Sequence, residues 1–582
     1  MGYYKFGKLE LDPQRNPAVL DTATWDRDAA ITAAFQEEES FWKKVTNSCG
    51  KNLDPPLQGK VLRIYPGSHA PDQGSDVFLG SLADGQELFI RIGPSQSTSK
   101  LGYPMATKPL SDGGILSIYP TDMEVLEKYL KCLNPEKAPR ALGTLPRLGI
   151  GDRHTVLIWP AALRAMEKGG FAANPIQNSL RELYLLEDLK EGRPAHENYL
   201  FSFGNIAEGH TGSTFEGLLH AGVLAILKDH TYPKYGADAD HIQVKRGPEG
   251  LDRAKRVIQA GRHYSFFTMD VSDILAYSAL WDTSQSKALE YLTSCIPDPL
   301  ERRDVLLYHR RIRTLGRVRY AFSEADIGRF VGKYWKSLAA LEQMYSYVRS
   351  LKGEVPFDLE FSIDENPAEV ATCACITRPE EVVFLAAELE RRHLPVTHLA
   401  PNFGVEKGTD YRCPNGLPEL EQRVRIISEI ASQYNLMLDC HSGDDLKKET
   451  RRVFGRATRG RINFKISPML QTIFSEVLFD IHRDIFLDWW KDVYEFVQGE
   501  AEKGSSFAKE CMEELKVDPT PHPSKKLFYY YNFVSLGRRN AENRFILRDR
   551  LYDVSEEFKR AYGQRLEDWF LEIAEDLYGE GR

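Results

Sequence analysis

Residues 235–242 read YGADADHI and residues 266–273 read FFTMDVSD. Each is a short apolar run that finishes in acidic residues, and the first adds His241. Between them, PEGLDRAKRVIQAG (248–261) sets Leu251, Ala254, Val257 and Ile258 on one helical face. Strand, helix, strand with carboxylates at both strand ends predicts a parallel α/β sheet. In such sheets the carboxyl ends of the strands carry the chemistry.

The same rhythm runs outward in both directions. Upstream lie RLGIGDR (147–153) and FAANPIQNS (171–179), with helix-like segments after each; Gly169 and Gly170 stop the first. Downstream lie DLEFSIDE (358–365), VTHLAPNFG (396–404), LMLDCHSG (436–443) and INFKIS (462–467). Eight strands with alternating helices predict a (β/α)8 TIM-type barrel over 145–475. A polar, helical insertion is expected around 276–353. DAAITAAFQEEESFWKKV (28–45) and MEVLEKYLKCL (123–133) look helical, and residues 57–120 between them are short strand-like runs punctuated by Gly, Pro and Ser, so a mixed α+β, β-rich N-terminal domain is expected over 1–140. Residues 476–582 are helical and aromatic, predicting a helical C-terminal region.

Composition narrows the partners. The chain has 582 residues, 42% apolar, with a formal charge of -9 and no long basic run, which argues against nucleic acid. No window reaches the roughly 20 apolar residues of a membrane span, and MGYYKFGKLELD lacks the apolar core of a signal peptide. A cytoplasmic enzyme acting on a small molecule is expected, with self-association left open. The eight cysteines are scattered, and Cys373-Ala-Cys375 has the wrong spacing for a zinc knuckle, so buried or incidental thiols are expected.

Closing the barrel would bring strand-end polar groups together: Asp152, Arg153, Gln177, Asp240, His241, Asp270, Asp273, Asp364, Glu365, Asn402, Asp439, His441 and Lys465. Strand parity sharpens this. Glu360, Ser362 and Asp364 share one face, opposite Leu359, Phe361 and Ile363; Asp439 and His441 share another. The apolar faces belong against the helices, so the acidic faces point inward. Several buried carboxylates are costly without a cation. Inward His and Asp suit a divalent metal with N and O ligands. His241, Asp364 and His441 are therefore the candidate ligands. Lys465 reads equally well as a core lysine or as a binder of substrate charge.

At these residues the chain resembles the tagaturonate epimerases of bacterial hexuronate catabolism. YGADADH (235–241) is similar to the family's FGADADH, and FFTMDVSD to its FTIDPSDH. LEFSIDE (359–365), LAPNFGVEKGTDY (399–411) and CHSGDD (440–445) echo FEFSVDE, LAPRF…EKGIDY and LHSGSDK, while GIGDR (149–153) and PIQNS (175–179) resemble GTGDR and QQS. The resemblance covers roughly 145–480, with no clear counterpart for the first 140 residues. Departures stand out: Ile274 replaces a family histidine, Leu446 a lysine, and NPAEVATCACITRPE (366–380) the family's TPTSP segment.

The resemblance implies an isomerase, a metal-dependent epimerase that interconverts tagaturonate and fructuronate. Related members act on fructose and tagatose. The lost cationic groups point toward a neutral or different sugar. The reaction inverts a carbinol β to a ketone, whose C–H that carbonyl does not activate. With no G-x-G-x-x-G nicotinamide fingerprint, retro-aldol cleavage and re-addition is the expected route. Asp240 is assigned acid/base work, with Asp270 as second acid/base or partner. Asp152, Arg153, Gln177 and Lys465 would position substrate. His241, Asp364 and His441 would hold Mn, Ni, Zn or Fe. Two alternatives remain: a metal-dependent sugar aldolase, and a non-catalytic sugar-binding protein.

Overall fold

A computed structural model describes residues 2–49, 55–94, 98–200, 204–282, 284–366, 370–406 and 408–579. Within the motif stretches quoted above, residues 367–369 and Lys407 lie outside this set. All eight expected strands form and close one parallel barrel. They are β1 (Arg147–Gly151), β2 (Ala172–Ser179), β3 (Tyr235–Gln243), β4 (Phe266–Asp270), β5 (Asp358–Ser362), β6 (His398–Ala400), β7 (Met437–Cys440) and β8 (Ile462–Ile466). Each strand pairs with its sequence neighbours, and β8 pairs with β1. The outward residues (Leu148, Ile150, Leu359, Phe361, Leu438, Phe464) are fully or almost fully buried under the helices. That burial is the main driving force for closure.

The helical ring differs from the sequence expectation in two places. The expected insertion at 276–353 contains one of the barrel's own helices. Glu324–Lys352, begun by a Ser323–Asp326 capping box, packs against both Gly250–Ala260 and Pro379–Arg391. Only the preceding stretch, with the helices Ser278–Trp281, Gln285–Cys295 and Pro299–His309 and an Arg313–Leu315/Val318–Tyr320 hairpin, is inserted. It is pinned to the ring by His309, whose Nε2 lies 2.7 Å from Glu388 Oε1 with both side chains fully buried. The second difference is the last helix, Glu556–Tyr578. It packs between Trp159–Gly169 and Lys448–Thr458, so the C-terminal region completes the ring. Arg451 and Arg452 bind Asp576 at 2.7 and 3.0 Å, and Arg164 binds Glu567 at 2.6 Å.

The N-terminal region holds a six-stranded antiparallel sheet covered by the helices Arg27–Phe35 and Glu39–Thr46, with its own apolar core. The cysteine expectation fails at one pair. Cys373 and Cys413 form a disulfide, their Cα atoms 5.6 Å apart, linking the loops after β5 and β6. The partners are 40 residues apart in sequence, and no local spacing announces them. Among the described residues no helix is long and apolar enough to cross a membrane.

At the amino-terminal end of the barrel, Arg147 Nη1 meets Asp358 Oδ2 at 2.9 Å, both out of water. Asp358 also accepts the backbone N–H groups of Leu142 and Gly143. The pair ties the entry of β1 to the entry of β5 across the barrel floor. Asp358→Ala leaves a buried guanidinium unpaired and should cost about 3–5 kcal/mol in chemical denaturation. A loss below about 1 kcal/mol would show that the floor does not depend on this pair.

Candidate functional site at the carboxyl end of the barrel

The barrel interior is polar, unlike the apolar layers usual for this fold. Parity sets this up. β3 turns Asp238 and Asp240 inward, β4 Thr268 and Asp270, β5 Glu360, β7 Asp439 and β8 Asn463 and Lys465, all buried. Lys465 stands at their centre. Its Nζ lies 2.8 Å from Asp240, 3.0 Å from Asp238, 3.0 Å from Glu360 and 3.8 Å from Asp439, and donates to Thr268 Oγ1 at 2.6 Å. Gly149 on β1 makes room: a Cβ there would fall 2.8 Å from Lys465 Cγ and 2.3 Å from Gln177 Oε1.

One ammonium cannot balance four carboxylates, and their titration shows how the charge divides. Burial alone would push all of them up. Lys465 and the imidazoles of His241 and His441 nonetheless hold Asp240 below its ordinary range. Glu360, under the same burial, is held well below it by Lys465 and His441. Asp238 is pushed by burial up to about 7 against the pull of Lys465, and Asp439 is raised well above its range by burial and by Glu360.

Above this layer sit two imidazoles. His441 Nε2 is 2.8 Å from Glu360 Oε1, and its Nδ1 is 3.0 Å from Asp364 Oδ2. Burial disfavours its charged form, yet Asp364 and Glu360 raise it well above the ordinary value. His241 should point outward by strict alternation. An extra residue between the Ala239–Phe267 and Ile242–Met269 pairs forms a bulge, and His241 takes a φ of 42°. Bulges re-aim side chains beside active sites, and such a backbone costs about 1–3 kcal/mol. The result is a ring centroid 4.6 Å from that of His441, with Nδ1 3.3 Å from Asp270 Oδ2.

Donor atoms of Asp240, His241 and His441 fall within 4.8 Å of one another, as do those of Glu360, Asp439 and His441. Asp439 Oδ1 has no hydrogen-bond partner among the described residues. An N/O donor set with surplus negative charge and an orphaned carboxylate oxygen fits a divalent cation. Of the three expected ligands, the two histidines come together and Asp364 stands against one of them. Asp270 bonds His241 and accepts from Gln243 Nε2 at 3.0 Å, the place of a group that orients a ligand.

The expected substrate residues separate. Gln177 faces inward beside Lys465, and its Oε1 has no partner among the described residues. Lys465 is enclosed by carboxylates, with its donors directed at them and at Thr268. Asp152 departs from expectation. It lies on the outward parity of β1, accepting from Trp159 Nε1 at 2.9 Å in the helix layer, where burial raises it well above its range. Arg153 sits at the rim, 3.5 Å from Glu182. Asp273 is also at the rim, accepting from the backbone N–H of Arg246 at 2.8 Å. Three residues around the cluster were given no role from the sequence. Parity had turned Glu360 inward beside Asp364, and Asp238, two residues before Asp240 on the same parity, could have been found the same way. Arg181 carries no motif; it follows β2 and places Nη2 2.9 Å from Glu365 Oε1.

Eight parallel strands with a buried acid, imidazole and lysine cluster at their carboxyl ends make this a (β/α)8-barrel of the enzyme type. A family model described as UxaE, tagaturonate epimerase, matches residues 206–572, and the chain belongs to that family. The tagaturonate/fructuronate epimerase of Thermotoga maritima is 28% identical over 349 residues, 59% of this chain and 61% of that relative. The alignment thus spans less than two thirds of that protein. The fructuronate-tagaturonate epimerase of Cohnella laeviribosi is similar in fold. Its one-glycerol complex gives a TM-score of 0.63 at 19% identity, and its native structure 0.63 at 18%; each comparison covers 89% of this chain and 96% of that one. Coverage of that extent reaches into the first 140 residues, for which the sequence offered no counterpart.

Lys465→Met tests the electrostatics. Without the ammonium, the folded-state pKa values of Asp240 and Glu360 rise above their unfolded values, so the variant gains stability as pH falls through the raised pKa values. In the wild type these groups are held low and do not titrate there. The variant should lose about 3–5 kcal/mol at pH 7, and the gap should narrow steadily toward about pH 4. Denaturation curves across that range check it; a gap independent of pH would contradict the charge assignment.

Proposed function

We propose that the protein is a metal-dependent epimerase of a keto-hexuronate, interconverting tagaturonate and fructuronate by retro-aldol cleavage and re-addition. The observation that carries the reading is the Asp240–His241–His441 donor group, set beside a lysine-bound carboxylate layer at the barrel mouth. Family membership and the names of the relatives supply the substrate class.

His441, His241 and Asp364, which stands 3.0 Å from His441 Nδ1, would hold the cation. Bound there, a divalent ion supplies Lewis-acid polarisation of the substrate carbonyl. Asp240 is the base: Lys465 keeps it ionised, and it stands between that lysine and the imidazoles. It takes the proton of the hydroxyl being inverted. The C–C bond between that carbinol and the carbon next to the ketone breaks, its electron pair moving into the carbonyl system as an enediolate. The aldehyde fragment turns, the enediolate re-adds to its other face, and Asp240 returns the proton. The inverted carbon keeps its hydrogen throughout. Asp270 holds His241 in place. Gln177 offers a carbonyl oxygen to a substrate hydroxyl, and Arg153 and Arg181, ion-paired with Glu182 and Glu365, are the rim guanidiniums that a hexuronate carboxylate would engage.

Purified enzyme loaded with divalent metal and given tagaturonate in D2O should yield fructuronate with no deuterium at the inverted carbon, read by NMR. Asp240→Asn should lower turnover by about 10²–10⁴-fold with metal content unchanged. Deuterium at that carbon would exclude the retro-aldol route, and full activity in the metal-loaded variant would remove Asp240 from the chemistry. Net accumulation of free three-carbon fragments would favour an aldolase.

A further inference from the structure

A second group of metal-type donors lies far from the barrel mouth in sequence, in the N-terminal sheet. Cys49, His69 and Asp76 each present a donor atom, and the three lie within 4.8 Å of one another. They come from three separate pieces of chain. Cys49 follows the helix Glu39–Thr46. His69 is in the strand Leu62–Asp72, and Asp76 in the strand Ser75–Leu82 paired with it. The pairing sets Pro71 opposite Asp76, so His69, two residues from Pro71, falls diagonally from Asp76 on the same face. The ladder shifts register between Tyr65 and Ala70, the stretch that contains His69.

His69 Nε2 lies 2.8 Å from Asp76 Oδ1, and its ring rests on Phe78 with centroids 5.1 Å apart. The imidazole is thus held on its apolar side with one nitrogen aimed at the carboxylate. The pair is only partly exposed, 18% and 33%. An ion pair needs just these two groups. Arrival of a thiol from a third segment makes the set one of sulfur, nitrogen and oxygen. Ligand atoms around a tetrahedral zinc ion stand roughly 3.5 Å apart, so donors already within 4.8 Å need only a small closure. Three protein ligands leave the fourth position to water.

We propose that Cys49, His69 and Asp76 form a zinc-class cation site that ties the segment after the helix Glu39–Thr46 to the N-terminal sheet. It is chemically distinct from the barrel mouth, whose donor groups hold nitrogen and oxygen only. A thiolate ligand favours zinc or cobalt over the harder cations that carboxylate sites accept. The site is independent of the proposed reaction, and either can fail without the other.

The difference in donors supplies the test. Full-length protein stripped with chelator and titrated with Co2+ alone should develop a near-ultraviolet thiolate-to-cobalt charge-transfer band, bleached by Zn2+. Cys49→Ser and His69→Ala should abolish the band. Cys132→Ser, at an exposed thiol, and His441→Ala, at the barrel mouth, should keep it. Absence of the band in the wild type, or its survival in folded Cys49→Ser, would overturn the proposal. Should Cys49→Ser not fold by circular dichroism, Asp76→Asn decides: a weakened band supports the site, and an unchanged one refutes it.

Discussion

The architecture of this protein's interior depends on one ammonium group. Lys465 enters from β8 and meets carboxylates from β3, β5 and β7, three of them within 3.0 Å. An ionised carboxylate buried without a partner is far too costly to keep charged. The polar layer can exist in the barrel because the lysine compensates part of it. Much else follows from making room for that contact. Gly149 clears the path of the lysine, and Asn463 donates to Asp439 at 2.6 Å. The outward parity of the same strands stays apolar and carries the barrel against its helices.

Compensation is incomplete, and the surplus negative charge is what the proposed cation would meet. Two carboxylates, Asp240 and Glu360, take most of the lysine's charge and stay ionised; Asp238 and Asp439 are driven toward their neutral forms. The histidines above are drawn toward the charged form by the same surplus. A divalent cation at the imidazoles would relieve both tendencies at once. The backbone agrees with this, since the bulge and positive φ at His241 spend stability to bring a second imidazole next to the first.

Much of this was legible in the sequence. All eight barrel strands could be read from short apolar runs that end in polar residues, with helix-like segments between them. The inward faces of β5 and β7 followed from parity alone. His241 was found because it closes an acidic strand, although parity by itself would have turned it outward; the bulge that rescues it has no local signature. Asp152 was misplaced for the complementary reason: it closes a strand as well, yet parity sends it to Trp159. Lys465 stayed ambiguous because its carboxylate partners lie on three other strands. The ring helix at 324–352 and the closing helix at 556–578 were hidden by their polar surfaces and by distance along the chain. The Cys373–Cys413 bond was invisible to spacing.

On the proposed function, the barrel mouth holds a divalent cation at its paired imidazoles. The most direct measurement is the metal content of purified protein after reloading, wild type beside His441→Ala, with Cys49→Ser in both to remove the sheet site. One Mn, Fe, Ni or Zn per chain is expected in the first, and its loss in the second. No bound metal in either would contradict it and leave a sugar-binding barrel whose acidic layer is balanced by Lys465 and protons alone.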